Sequence, residues 1–319
     1  MATFTSTTPL LTRVVARPQT RASERYREGR ETAARAHGFP AASGRNLRFF
    51  GGRTIEHLIY TNVYLGGADA WAPADVVHLD ASLAAAMTDR GLNNVLAQYF
   101  ADGRPTAEFR PSRFLAGPVP QRVYKRTVED VVAALDVTGF DLAATAFCIV
   151  LPRGAVLVDG NENDGGPDSE HGLGGYHGSV HTRAGAVYYA AGVYSEGPNG
   201  IVAFDEPWKN VCATLYHELC EVRTDPDVED AIRAGSDPAA MSLLGWYSPD
   251  GGEIGDIPIE ETGADLSLAL KEVPLDAGGT APVQLMWSNA VGGPEGPIAR
   301  RHRQPATSAS AARAGTRRP

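Results

Sequence analysis

Five consecutive residues, His217-Glu218-Leu219-Cys220-Glu221, place an imidazole and two carboxylates at a spacing suited to metal chemistry. On a helix of about 100° per residue, side chains four apart stack on one face, so His217 and Glu221 would grip a cation from one side. Glu218, next to the imidazole, would point toward the reacting water. A bound divalent cation lowers the pKa of water, and Glu218 can then take the proton and pass it to a leaving group. Apolar surroundings would raise the pKa of Glu218, which suits a general base. The pattern is H-E-x-x-H with Glu221 in place of the second histidine. The competing arrangement is a surface pair at helical spacing, with Glu221 bridged to Arg223 or Arg183.

The helix that must carry these groups is the clearest in the chain. Residues 207–223 begin with Pro207 after Asp205 or Glu206 and end before Pro226. Val211, Leu215, Leu219 and Val222 form one stripe that Cys212 and Tyr216 widen, so few positions suit water and the charged ones need partners.

Around it, in order, stand His171-Gly-Leu-Gly-Gly-Tyr-His177-Gly, the helix motif running into Asp225-Pro226, Gly245-Trp-Tyr247, Glu253-Ile-Gly-Asp256 and Val283-Gln-Leu-Met-Trp-Ser-Asn289. Together they resemble the exordium-like (phosphate-induced protein) family and its bacterial relatives, over residues 45–291. The resemblance implies an α+β fold, with a zincin-like mixed β-sheet packed against the H-E-x-x-E helix. It also places E-I-G-D where zincins find a downstream ligand, making Asp256 and Glu253 the candidate third ligands. Gly251, Gly252 and Gly255 would let that loop come close. His177, between glycines, is a candidate fourth ligand or an oxyanion donor in catalysis; His171 and His181 are weaker ones. One histidine with two carboxylates is a harder ligand set than two histidines and one acid; zinc remains the expected metal, with Mn²⁺ or Fe²⁺ tolerated better than usual. Two features depart from plant members: Ile257 stands where they have a cysteine, and no secretory signal is visible. Extracellular roles are therefore not carried over.

A rival site is Asp159-x-Asn161-x-Asn163 with Glu170, which imitates a calcium loop but has Asp164 where glycine is required.

Other elements read more coarsely. Strands are expected over 55–65, 145–151, 186–194 and 283–287, and helices over 80–87, 92–100 and 128–135. Residues 105–120 and 160–185 read as turn-rich loops, and 186–194 as the strand lining the substrate cleft. Residues 1–44 are expected to form a basic arm with a charged helix over 20–36, and 292–319 a disordered basic tail. Residues 1–53 carry +7 and 296–319 carry +6; with −9 overall, residues 54–295 hold −22. So acidic a body excludes nucleic acid as its partner, because phosphates would be repelled. Cys148, Cys212 and Cys220 form no disulfide framework, and no apolar run reaches the ~18 residues of a membrane helix. A cytoplasmic protein with no membrane partner is expected. The expected function is hydrolysis of an amide or peptide-like bond in a peptide or small-molecule substrate. The alternatives are a non-catalytic binding or signalling protein with a vestigial site, and a metal-dependent lyase or cyclase acting on a small molecule.

Overall fold

The computed structural model describes residues 35–163, 165–235, 237, 239–263 and 265–296. The fold is mixed α+β. Its centre is a five-stranded sheet of β1 (His57–Leu65), β2 (Thr106–Leu115), β3 (Thr145–Leu151), β4 (Gly175–Thr182) and β5 (Gly185–Val193). The order is β2-β1-β3-β5-β4; β4 runs antiparallel to β5, and the other pairs are parallel.

Helices cover both faces: α1 (Pro73–Thr88) and α3 (Pro207–Thr224) on one, α2 (Lys125–Ala133) on the other. Every residue of β3 is buried, as its unbroken apolar run requires. Side chains alternate strictly: Ala146, Cys148 and Val150 meet α1 and α3, whereas Phe147, Ile149 and Leu151 meet α2. The same alternation along β4 sends Tyr176 to the α2 face and His177 to the α3 face.

Smaller elements close the α3 side. Helix α4 (Val228–Ala234) follows directly, and α5 (Asp256–Thr262) starts at the E-I-G-D segment. The hairpin of β6 (Leu270–Pro274) and β7 (Thr280–Gln284) then packs β7 against α3. Last, β8 (Met286–Ser288) pairs with β9 (Gly293–Glu295). Ordered chain thus runs past 291, where the tail was expected to begin, because β9 is buried. The arm helix expected over 20–36 lies almost wholly outside the described residues, as does most of the tail.

Three expectations need correction. The first helix begins at Pro73, not Asp80; Asp80 is mid-helix, where its carboxylate accepts from Asn62, Tyr64 and Ser112. Residues 106–115 form the edge strand β2, whose register shifts opposite Thr61 and Val63. Pro111 and Ser112 fall at that bulge, where a strand tolerates proline. The strand over 186–194 is interior, paired on both sides, so it cannot line a cleft through its backbone; the edge position belongs to β4. Among the described residues no helix is long and apolar enough to cross a membrane.

Candidate metal centre

Helix α3 is buried from Asn210 to Thr224, so its charged face meets protein, not solvent. Its start is set by Pro207 and by Asn210, whose Oδ1 accepts from the amides of Ala203 (2.8 Å) and Phe204 (2.9 Å). Its end is set by Pro226, one residue after Asp225. Arg223 does not pair with Glu221. Fully buried, it donates to the carbonyls of Ile55 (3.3 Å), Glu56 (2.5 Å) and Thr106 (3.2 Å), fastening α3 to the starts of β1 and β2.

His217 and Glu221 do meet, with Nε2 3.1 Å from Oε2. Around a tetrahedral cation with bonds of about 2.0–2.1 Å, neighbouring ligand atoms stand about 3.3 Å apart, so this spacing fits shared coordination. Both groups are held in place from behind. The amides of Gly255 and Asp256 each donate to Glu221 Oε1 at 3.1 Å, leaving Oε2 to face His217. Gln284 Nε2 donates to the Gly255 carbonyl at 2.6 Å, which fixes the amide so that its Oε1 faces His217 Nδ1 at 2.8 Å. Nδ1 therefore carries a hydrogen in either charge state, and Nε2 is the atom that faces the centre and would give up its proton to a metal, the usual outer support of a metal-bound histidine. Gly255 lies flat on that ring: a Cβ there would come within 2.7 Å of His217 Cε1 and Nδ1.

His177 enters from β4. Its Nε2 donates to the Asp225 carbonyl at 3.2 Å, and its Nδ1 stands 3.5 Å from both Glu218 Oε2 and Glu221 Oε2. Glu253 Oε1 lies 3.6 Å from His177 Nε2, buried and without a hydrogen-bond partner. Asp256 Oδ1 is 3.8 Å from His217 Nε2 at the solvent rim, its side chain 45 % exposed. All six candidate residues thus converge. His217, Glu218 and Glu221 form one group able to hold an ion, and His177, Glu221 and Glu253 form another.

The electrostatics follow from this crowding. Among the described residues, the ion pairs of Glu218, Glu221, Glu253 and Asp256 are to histidines alone, with no lysine or arginine. Burial, then the charges of Glu221 and Asp225, pushes Glu253 well above the usual carboxylate range, and burial likewise raises Glu218. Burial would raise Glu221 too, but the two imidazoles hold it well below. Burial should lower His217, yet Glu221 and Glu218 carry it to about 10; against the same burial, Glu253 and the contacts to Glu218 and Glu221 hold His177 well above its ordinary value. Desolvation, then the charge of Glu221, pushes Asp256 to about 7, a shift that water at the rim softens.

The donor set fits a divalent cation: oriented imidazole and carboxylate atoms, excess negative charge, and an orphaned buried oxygen on Glu253. Asp225 and Gln284 escaped the sequence reading. Gln284 had a signal, a lone amide amid the apolar residues of 281–287. Asp225 is fully buried and takes the Gly245 amide on Oδ1 at 2.8 Å. A Cβ on Gly245 would strike the Thr224 carbonyl at 2.2 Å, which accounts for glycine there.

The remaining candidates lie elsewhere. His171 is exposed and pairs with Asp168, and His181 is exposed and pairs with Asp230. In the rival calcium loop, Asp159 is bound by Lys125 and Glu170 by Arg122, so two of its carboxylates already have cationic partners. The cysteines are free and buried.

Gln284→Leu should weaken zinc binding by about 10–100-fold, because the imidazole loses the acceptor that sets its tautomer and angle. Competition with a chromophoric chelator measures this; unchanged affinity in a folded variant would remove Gln284 from the support of His217.

No protein-family model, no curated protein and no solved structure matches this chain.

Proposed function

We propose that this protein is a metal-dependent hydrolase of an amide or peptide-like bond, with Glu218 as general base. One observation carries the reading: among the described residues, three buried carboxylates, and Asp256 at the rim, meet two imidazoles with no lysine or arginine paired to the carboxylates. Two imidazoles offset only part of that charge, burial of the rest is costly, and a divalent cation would offset it. His217 and Glu221 would hold the ion, with Glu253 and Asp256 as further ligands; zinc is the first choice, and Mn²⁺ or Fe²⁺ suits so oxygen-rich a set. When bound, the ion supplies Lewis acidity, acidifying water and polarising a carbonyl. Glu218 supplies the proton transfer. Burial lifts its pKa above the ordinary carboxylate value, and its Oε2 stands 3.5 Å from His177 Nδ1.

Two features support the zincin-like, exordium-like assignment. The antiparallel edge strand β4 lies beside the H-E-x-x-E helix. The segments that carry the family resemblance, far apart in sequence, supply His177, Glu221, Asp225, Gly245, Glu253 and Gln284 to one neighbourhood.

A second reading has its own observation. His177, Glu218, Glu221 and Glu253 are each no more than 6 % exposed, which favours a small molecule over an extended peptide and admits a lyase or cyclase. Turnover of compact amides but not of peptides, or elimination without uptake of water, would select it.

The test is a zinc titration of chelator-treated protein at several pH values. The proton on His217 stays bound up to about 10, so it opposes metal at neutral pH and must leave on binding. Apparent affinity should therefore rise with pH from 6 to 9, about tenfold per unit for each proton displaced. Proton release should appear as a buffer-dependent binding heat, and amide hydrolysis should return with the metal. No zinc uptake at any pH would leave a vestigial centre and end the proposal.

A further inference from the structure

The two ion-holding groups described above are not alternatives for one ion. We infer that the centre takes two divalent cations, with Glu221 between them: one held by His217 and Glu221, with Asp256, 3.8 Å from His217 Nε2, completing it in place of Glu218, the other by His177, Glu221 and Glu253. The inference rests on the metal-dependent reading and says how many ions that centre takes.

Three observations carry it. Glu221 is the shared member, and its Oε2 stands 3.1 Å from His217 Nε2 and 3.5 Å from His177 Nδ1, with an imidazole for each ion. Its Oε1 is anchored by two backbone amides, so Oε2 cannot swing to serve one imidazole alone. Second, Glu253 Oε1 is buried and unpartnered on the His177 side, where an ion confined to the His217 side would leave it bare. Third, the charge does not close with one ion. Once bound metal has displaced the cluster's protons, both imidazoles are neutral and Glu218, Glu221, Glu253 and Asp256 give −4; one dication leaves −2 and two leave 0. Asp225, with a buried and unpaired Oδ2 nearby, tilts the balance further toward two.

This division gives each sequence-derived candidate a separate place. Two ions sharing Glu221 would supply Lewis acidity on both sides of that carboxylate, one to acidify water and one to polarise the amide carbonyl. Glu218 then stays free to move a proton, lying within 4.8 Å of His217 and Glu221 ligand atoms and 3.5 Å from His177 Nδ1.

The experiment is titration of metal-stripped, full-length protein with Mn²⁺, following bound metal by elemental analysis and the spin state by electron paramagnetic resonance. The wild type should saturate at two equivalents and show the exchange-coupled spectrum of a Mn²⁺ pair. Glu253→Gln should saturate at one equivalent and give the uncoupled six-line pattern. His177→Gln should behave likewise, and serves if the first variant fails to fold by circular dichroism. A wild type that saturates at one equivalent overturns the two-ion centre and leaves the hydrolase reading standing; variants that still take two overturn the assignment of Glu253 and His177 to the second ion. A wild type that takes no metal overturns both.

Discussion

The His217→Ala variant is expected to lose about 10²–10³-fold in zinc affinity, so that it should purify without metal where the wild type should carry it. Structural zinc sites are worth about 10–16 kcal/mol in all, and one of four ligands carries a share of that order. The wild-type imidazole brings more than a donor atom, because Gln284 and Gly255 hold it at the angle at which Nε2 meets Glu221 Oε2. Chelator competition on both proteins is the measurement. The specific expectation is that the fold survives: α3 keeps its apolar stripe of Val211, Leu215, Leu219 and Val222, all buried in the main core. A folded variant with wild-type zinc affinity would remove His217 from the ligand set, and with it the reading of the whole motif.

That motif was the part of the chain most open to reading from sequence, for physical reasons. A buried helix with charged residues on one face advertises a site, since such residues need partners, and α3 proved buried over the whole of 210–224. The central strand β3 was equally legible, since an unbroken apolar run of strand length is buried on both faces. The position of His177 was harder to see. Its glycines look like loop signals, yet Gly175 and Gly178 lie within β4. A Cβ on Gly175 would come within 2.4 Å of the Ala191 carbonyl and 2.9 Å of Glu218 Oε1, so glycine there lets strand and helix approach. Close packing and chain flexibility leave the same mark in a single sequence. Prolines misled in the same way along β2, where Pro111 marks a bulge. The supporting groups were least visible, because Gln284 and Asp225 act through contacts with residues distant in the chain, which no local pattern records.

Glu218→Gln should reduce turnover by about 10³-fold while leaving metal content unchanged, the largest effect expected of a substitution that preserves shape. Glutamine has the size of glutamate but cannot accept a proton at neutral pH, so it separates proton transfer from binding. The surroundings make the separation clean. Glu221, not Glu218, carries the hydrogen bonds from Gly255 and Asp256. Glu218 is buried against Gly175, within reach of His177, where an amide fits the same space. Burial raises its pKa, so the wild-type pH profile should show an acid limb displaced above the ordinary carboxylate range, and any residual activity of the variant should lack that limb. Two results bear differently on the roles. Full activity in the variant would show that Glu218 moves no proton and would shift the base assignment to His177. Loss of metal together with activity would instead make Glu218 a ligand, leaving the group of His217, Glu218 and Glu221 as the grip on the ion. Unchanged metal with lost turnover is the one outcome in which the helix divides its labour as proposed, with His217 and Glu221 holding the cation and the carboxylate between them moving the proton.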